Sequence, residues 1–207
     1  STTQGDSGDA SEGNLDAGQT LSSDEASGLA GSLAGLVTVS AGADEPASVS
    51  FGLSTDTSGL PTLYSKGDEV TYDVSGNTLT ATAHGNTIFT LTVNTDGSWS
   101  FDLDDQLDHV ATDSDTTTAL VTDGAPVNAI DFSALITATV TDADGDTASL
   151  SAPLAAGAFS IAVENDIPIL NNIDHAYIAN EAGLSITGDI DLSAGADGLS
   201  EIRFSKP

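Results

Sequence analysis

Asp142-Ala143-Asp144-Gly145-Asp146-Thr147 is the segment best suited to chemistry. Three carboxylates at alternate positions around a glycine turn can converge on one hard cation. Calcium takes six to eight oxygens and tolerates irregular geometry, so backbone carbonyls and water can complete its shell. The segment is not an EF-hand, because the flanks read as strands and the glutamate of loop position 12 is absent. The plainer alternative is an aspartate-rich turn held by side-chain-to-backbone hydrogen bonds, with no metal. A second acidic group, Glu164-Asn165-Asp166, stands where one folded unit hands over to the next. Asp44 or Asp197 could add an oxygen there, and a plain acidic linker is the competing reading. Asp102, Asp104, Asp105 and Asp108 form a third cluster.

Other chemistries find little support. His84, His109 and His175 are far apart, and no HExxH spacing occurs. No GxSxG elbow accompanies a Ser-His-Asp set. Trp99, Phe101 and Phe89 fall at strand alternation and read as core, not as a platform for a sugar ring. The expected function is non-enzymatic.

Acidic residues number 32 against three basic ones, Lys66, Arg203 and Lys206, for a net charge of −29. Nucleic acid is excluded as a partner, since it requires a basic footprint. An anionic membrane surface is disfavoured for the same reason. Such self-repulsion opposes compaction unless cations screen or bind it. There is no cysteine, hence no disulfide framework, thiolate metal site or cysteine nucleophile. No apolar run reaches membrane-spanning length, so no membrane insertion is expected. At 39% apolar residues with clear strand patterning, disorder is not the expectation for the body of the chain.

The elements that must position these carboxylates are strands. Period-two alternation runs through 48–53, 69–74, 78–83, 87–93 and 98–103, with turns at Val74-Ser75-Gly76-Asn77, His84-Gly85-Asn86 and Asn94-Thr95-Asp96-Gly97. Residues 104–128 break the pattern and read as a long polar loop, of a length usually reserved for function. Strands resume over 130–140, turn through Asp142–Asp146, return at 147–150 and end at 158–163. Pro168 marks a boundary. Residues 1–21 read as a flexible acidic tail or linker, 22–165 as a β-sandwich module, and 166–207 as a linker with the opening strand of a next repeat. A short helix capped by Ser23 is expected around Asp24–Leu33.

The chain also repeats itself. Val39-Ser40-Ala41-Gly42-Ala43-Asp44 returns as Leu192-Ser193-Ala194-Gly195-Ala196-Asp197, and Phe51 returns as Phe204, at a constant offset of 153 residues. Glu25-Ala26-Ser27-Gly28-Leu29 is echoed by Glu181-Ala182-Gly183-Leu184. Such self-similarity is the mark of a tandem array.

Three stretches in combination, Trp99 to His109, Ala138 to Ala148 and Val163 to Pro168, resemble the repeat modules of giant type I-secreted RTX adhesins of bacteria. The resemblance covers roughly residues 36–168. It implies an all-β antiparallel β-sandwich of Ig-like kind, stabilised by calcium, on the cell surface of a secreted protein. It further implies calcium at the junctions between units and a role in adhesion and biofilm formation; the candidate ligands read from the acidic motifs are Asp142, Asp144, Asp146, Glu164, Asp166, Asp102 and Asp104. Residues near Asp113–Asn128 exceed that pattern, which suits a loop elaborated for recognising an extracellular peptide or glycan. The alternative is a structural extender stiffened by interdomain calcium, partnered only by neighbouring repeats. Either way a monomer is expected.

Overall fold

Short threonine- and valine-rich segments punctuated by glycine turns fold into strands, fifteen of them among the described residues of a computed structural model. It describes residues 6–11, 25–38, 47–111, 117–150, 152–166, 169–174, 177, 179, 182–193 and 201–203. The largest sheet is antiparallel and five-stranded, in the order β2 (Glu25–Gly28), β9 (Trp99–Leu103), β8 (Asn86–Val93), β7 (Thr78–Ala83), β6 (Thr71–Ser75). A second sheet orders β1 (Asp6–Ser11), β13 (Phe159–Glu164) and β10 (Ile130–Asp131); a third orders β12 (Thr147–Ser149), β11 (Ile136–Thr141) and β3 (Ser48–Leu53). β4 (Tyr64–Ser65) with β5 (Asp68–Glu69), and β14 (Ile169–Ile173) with β15 (Ile190–Ser193), form separate two-stranded pairs. The fold is all-β and sandwich-like, as the sequence predicts.

The turns follow their residues. Gly76 has φ 61° at the first central position of the β6–β7 hairpin, as a type II′ turn requires. His84 (φ 42°) and Gly85 (φ 87°) are both left-handed, as are Lys66 (φ 52°) and Gly67 (φ 83°), the requirement of type I′. These primed turns match the right-handed strand twist, which is why two-residue loops suffice.

Alternation buries one face of β7, β8, β9 and β13. Leu79, Ala81 and Ala83 of β7, Leu91 and Val93 of β8, Trp99, Phe101 and Leu103 of β9, and Phe159, Ile161 and Val163 of β13 point into one core. Trp99 meets Phe159 with ring centroids 5.0 Å apart, and Phe132 lies 6.1 Å from Phe89 and 6.0 Å from Phe159. Aromatic pairs thus join the large sheet to β13. Trp99, Phe101 and Phe89 are core residues, as the alternation predicts.

The structure corrects the sequence reading at four places. Residues 1–21 are not uniformly a tail: Asp6–Ser11 form β1, pair with β13 and bury Ala10. That pairing is parallel, the one parallel ladder among the described strands. The expected helix at Asp24–Leu33 is replaced by β2 and a short 3₁₀ helix at Ser32–Leu36; Gly28 carries no side chain because a Cβ there would lie 2.1 Å from Trp99 Nε1. The strand expected over 130–140 is two strands in different sheets. Asp131 Oδ1 accepts the Ser133 N–H (3.0 Å), Asp131 Oδ2 accepts the Gly157 N–H (2.7 Å), and Ser133 Oγ accepts the Phe159 N–H (2.9 Å). These local bonds give the backbone an alternative to the ladder, and the chain changes sheets through a 3₁₀ turn. Finally, the described residues of the segment 104–128 do not form an open loop; residues 112–116 of it lie outside them. Leu107 and Leu120 are fully buried, and bridges Leu63↔Thr122, His109↔Leu120 and Leu120↔Val127 tie it down. Asp44, Asp197, Ser23 and Pro168 lie outside the described residues.

Candidate metal centre

The β11–β12 hairpin closes on the pair Thr141↔Thr147, leaving Asp142–Asp146 as its turn. Asp142 organises it. Its N–H donates to the Asp146 carbonyl (3.0 Å), and its Oδ1 accepts the N–H groups of Gly145 (3.1 Å) and Asp146 (2.8 Å). Gly145 has φ 96°, a conformation that favours glycine. The result gathers one oxygen each from Asp142, Asp144 and Asp146 within 4.8 Å of one another. Asp142 is half-buried, and the other two are exposed.

This spacing fits a shared cation. Calcium–oxygen bonds of about 2.3–2.6 Å place opposite ligands roughly 5 Å apart. All three donors are carboxylates, with no nitrogen or sulfur, which favours a hard ion over zinc or copper. The Asp142 carboxyl is held below its ordinary range, first by its interaction with the Asp144 side chain; burial, second in size, opposes this, and the N–H groups of Asp146, Gly145 and Asp144 add to the lowering.

The other expected ligands are placed differently. Glu164 ends β13 opposite Ser11, and the Asn165 N–H donates to Thr117 O (2.9 Å). Asp166 follows, half-buried. Asp102 stands in mid-β9 opposite Thr90 and Glu25, and Asp104 begins the segment after it. Among the described residues, Asp142, Asp144 and Asp146 form the group of three metal-ligating side chains that comes together; Glu164, Asp166, Asp102 and Asp104 do not join one.

The cluster after β9 acts as a clasp. β8 carries a bulge: Ala81 pairs with Phe89 but Thr82 with Thr87, so Ile88 is an extra residue. Its carbonyl accepts the N–H groups of Asp104 (2.7 Å) and Asp105 (3.1 Å). Asp105 then takes Lys66 Nζ on both oxygens (2.7 and 2.9 Å), and Asp108 takes the backbone of the β4–β5 turn, Lys66 N–H at 2.7 Å and Gly67 N–H at 2.9 Å. His109 bridges Leu107 O (3.0 Å) and Val163 O (2.9 Å), fastening the segment to β13. The signal for this arrangement was the adjacent apolar pair Ile88-Phe89, which breaks the alternation of β8.

Ser65, His84 and Asp105 also meet, but not as a catalytic triad. His84 Nε2 lies 3.2 Å from Ser65 Oγ and 3.7 Å from Asp105 Oδ2, so hydroxyl and carboxylate share one ring nitrogen. A triad puts them on opposite nitrogens. Ser65 is also fully buried, out of reach of a substrate.

Residues 8–155 match the family described as Domain of unknown function (DUF5801). The chain belongs to that family. Its matched span runs from β1 through the β11–β12 hairpin and its aspartate turn, so the candidate cation site lies inside the family's own domain. No curated protein and no solved structure matches the chain.

Proposed function

We propose that this chain is a calcium-binding, non-enzymatic module of a secreted bacterial surface adhesin, serving cell adhesion and biofilm formation by holding its shape with bound cations. The observation that carries the reading is the convergence of Asp142, Asp144 and Asp146 within 4.8 Å on one hairpin turn. The net charge of −29 supplies the physical need, because divalent ions both cancel repulsion and tie carboxylates together. The burial of Leu107 and Leu120 in the core favours the structural extender over recognition by the segment that carries them. Recognition of a peptide or glycan has one observation in its favour, a groove of about 350 Å³ on the same hairpin, lined by Thr137, Thr139, Ser149, Leu150 and Pro153 among others. Titration calorimetry with calcium tests the reading. One saturable site, lost in Asp144→Ala, is the expected result; no heat beyond dilution in the unaltered chain overturns it.

A further inference from the structure

At two matched positions the second copy of the repeated element exposes an apolar residue that the first copy packs into the core. At the 153-residue offset, Ile186 corresponds to Leu33, Ile190 to Val37, Ile202 to Val49 and Phe204 to Phe51. Leu33 is fully buried, Phe51 is 4% exposed, and Val37 and Val49 pack against the core. Ile186 and Ile202 are 50% and 51% exposed. They accompany exposed Leu170, Ile173 and Leu184 around β14 and β15. A two-stranded pair is marginal by itself.

The first copy shows what covers such a segment. β3 lies antiparallel along β11 with Val49 opposite Val140 and Phe51 opposite Ala138, and the Phe51 N–H donates to Thr95 O (3.1 Å). Ser48 and Ser50 face outward. Glu201-Ile202-Arg203-Phe204 keeps that alternation, with polar residues at the outward positions and apolar ones at the inward positions. Strand register is specified by this in-out pattern, so 201–204 carries the information needed to lie on β11.

We infer that residues 201–204 carry a second copy of the β3 pattern, able to take the place of β3 on β11 of another copy of this chain. The partner is a second copy, and the contact is a strand exchange. The inference is independent of the cation site. The chain's own β3 holds the place by its high effective concentration. Exchange therefore dominates when that strand is weakened, at salt high enough to screen the repulsion between two acidic copies.

The test weakens β3 in the full chain with Phe51→Ala and measures mass by light scattering across concentration, in chelator so that cation binding plays no part. The expected result is a β-rich species at twice the 20.7 kDa monomer mass, growing with concentration. Adding Ile202→Asp to Phe51→Ala should return it to a monomer. A Phe51→Ala chain that stays monomeric at all concentrations, folded or unfolded, overturns the inference. So does a dimer that survives Ile202→Asp.

Discussion

Asp108 holds Gly67 across 41 positions of sequence. Its Oδ2 accepts the Gly67 N–H at 2.9 Å while its Oδ1 accepts the Lys66 N–H at 2.7 Å. One carboxylate thereby satisfies two successive donors of a turn in which both residues are left-handed. Asp105 and Asp108, in the acidic segment after β9, lock this hairpin through Lys66 and Gly67.

Asp108→Ala should destabilise the fold by about 2–4 kcal/mol, since hydrogen bonds to a charged acceptor contribute roughly 1.5–3 kcal/mol each and do not simply add. Asp73→Ala, at an exposed position of β6, should change it by under about 0.5 kcal/mol. Denaturant unfolding measures both, and equal midpoints would remove the clasp from the account.

Millimolar calcium should raise the melting temperature against chelator at matched ionic strength. A native-state ligand at a hundredfold excess over its Kd adds about 2.7 kcal/mol. Asp144→Ala should lose most of the shift and Asp73→Ala none of it. An identical loss in both would mean general screening and not a site.

Acid should weaken the turn in the absence of calcium. The Asp142 carboxyl is held below its ordinary value of 3.8, first by its hydrogen bond with Asp144. A depressed folded value contributes stability above the unfolded value, and that contribution disappears as pH falls through the folded one. Melting temperatures of the chain and of Asp142→Asn between about pH 6 and 2 should therefore converge toward the acid end. Parallel curves would show that Asp142 has no linkage to folding.

Gly28→Ala should be strongly destabilising for one side-chain carbon. Its Cβ would fall 2.1 Å from Trp99 Nε1 and 2.5 Å from Ser32 Oγ. Overpacking of this kind costs about 1–3 kcal/mol. Trp99 is the sole tryptophan, so its emission reports the displacement directly.

Period-two alternation and glycine turns in the sequence determine the all-β class, the hairpins from β6 to β9 and the three-aspartate turn, because each depends on neighbours a few residues apart. Trp99, Phe101 and Phe89 read as core for the same reason. Tertiary structure alone decides what depends on distant partners. The bulge at Ile88 matters because its carbonyl receives Asp104 and Asp105. Asp131 and Ser133 break a strand only because Gly157 and Phe159 are there to bond. A polar stretch such as Asp6–Ser11 becomes a strand because β13 offers it an open edge. Carboxylates look alike in sequence, and their backbone partners decide which ones clasp a turn and which are left to gather a cation.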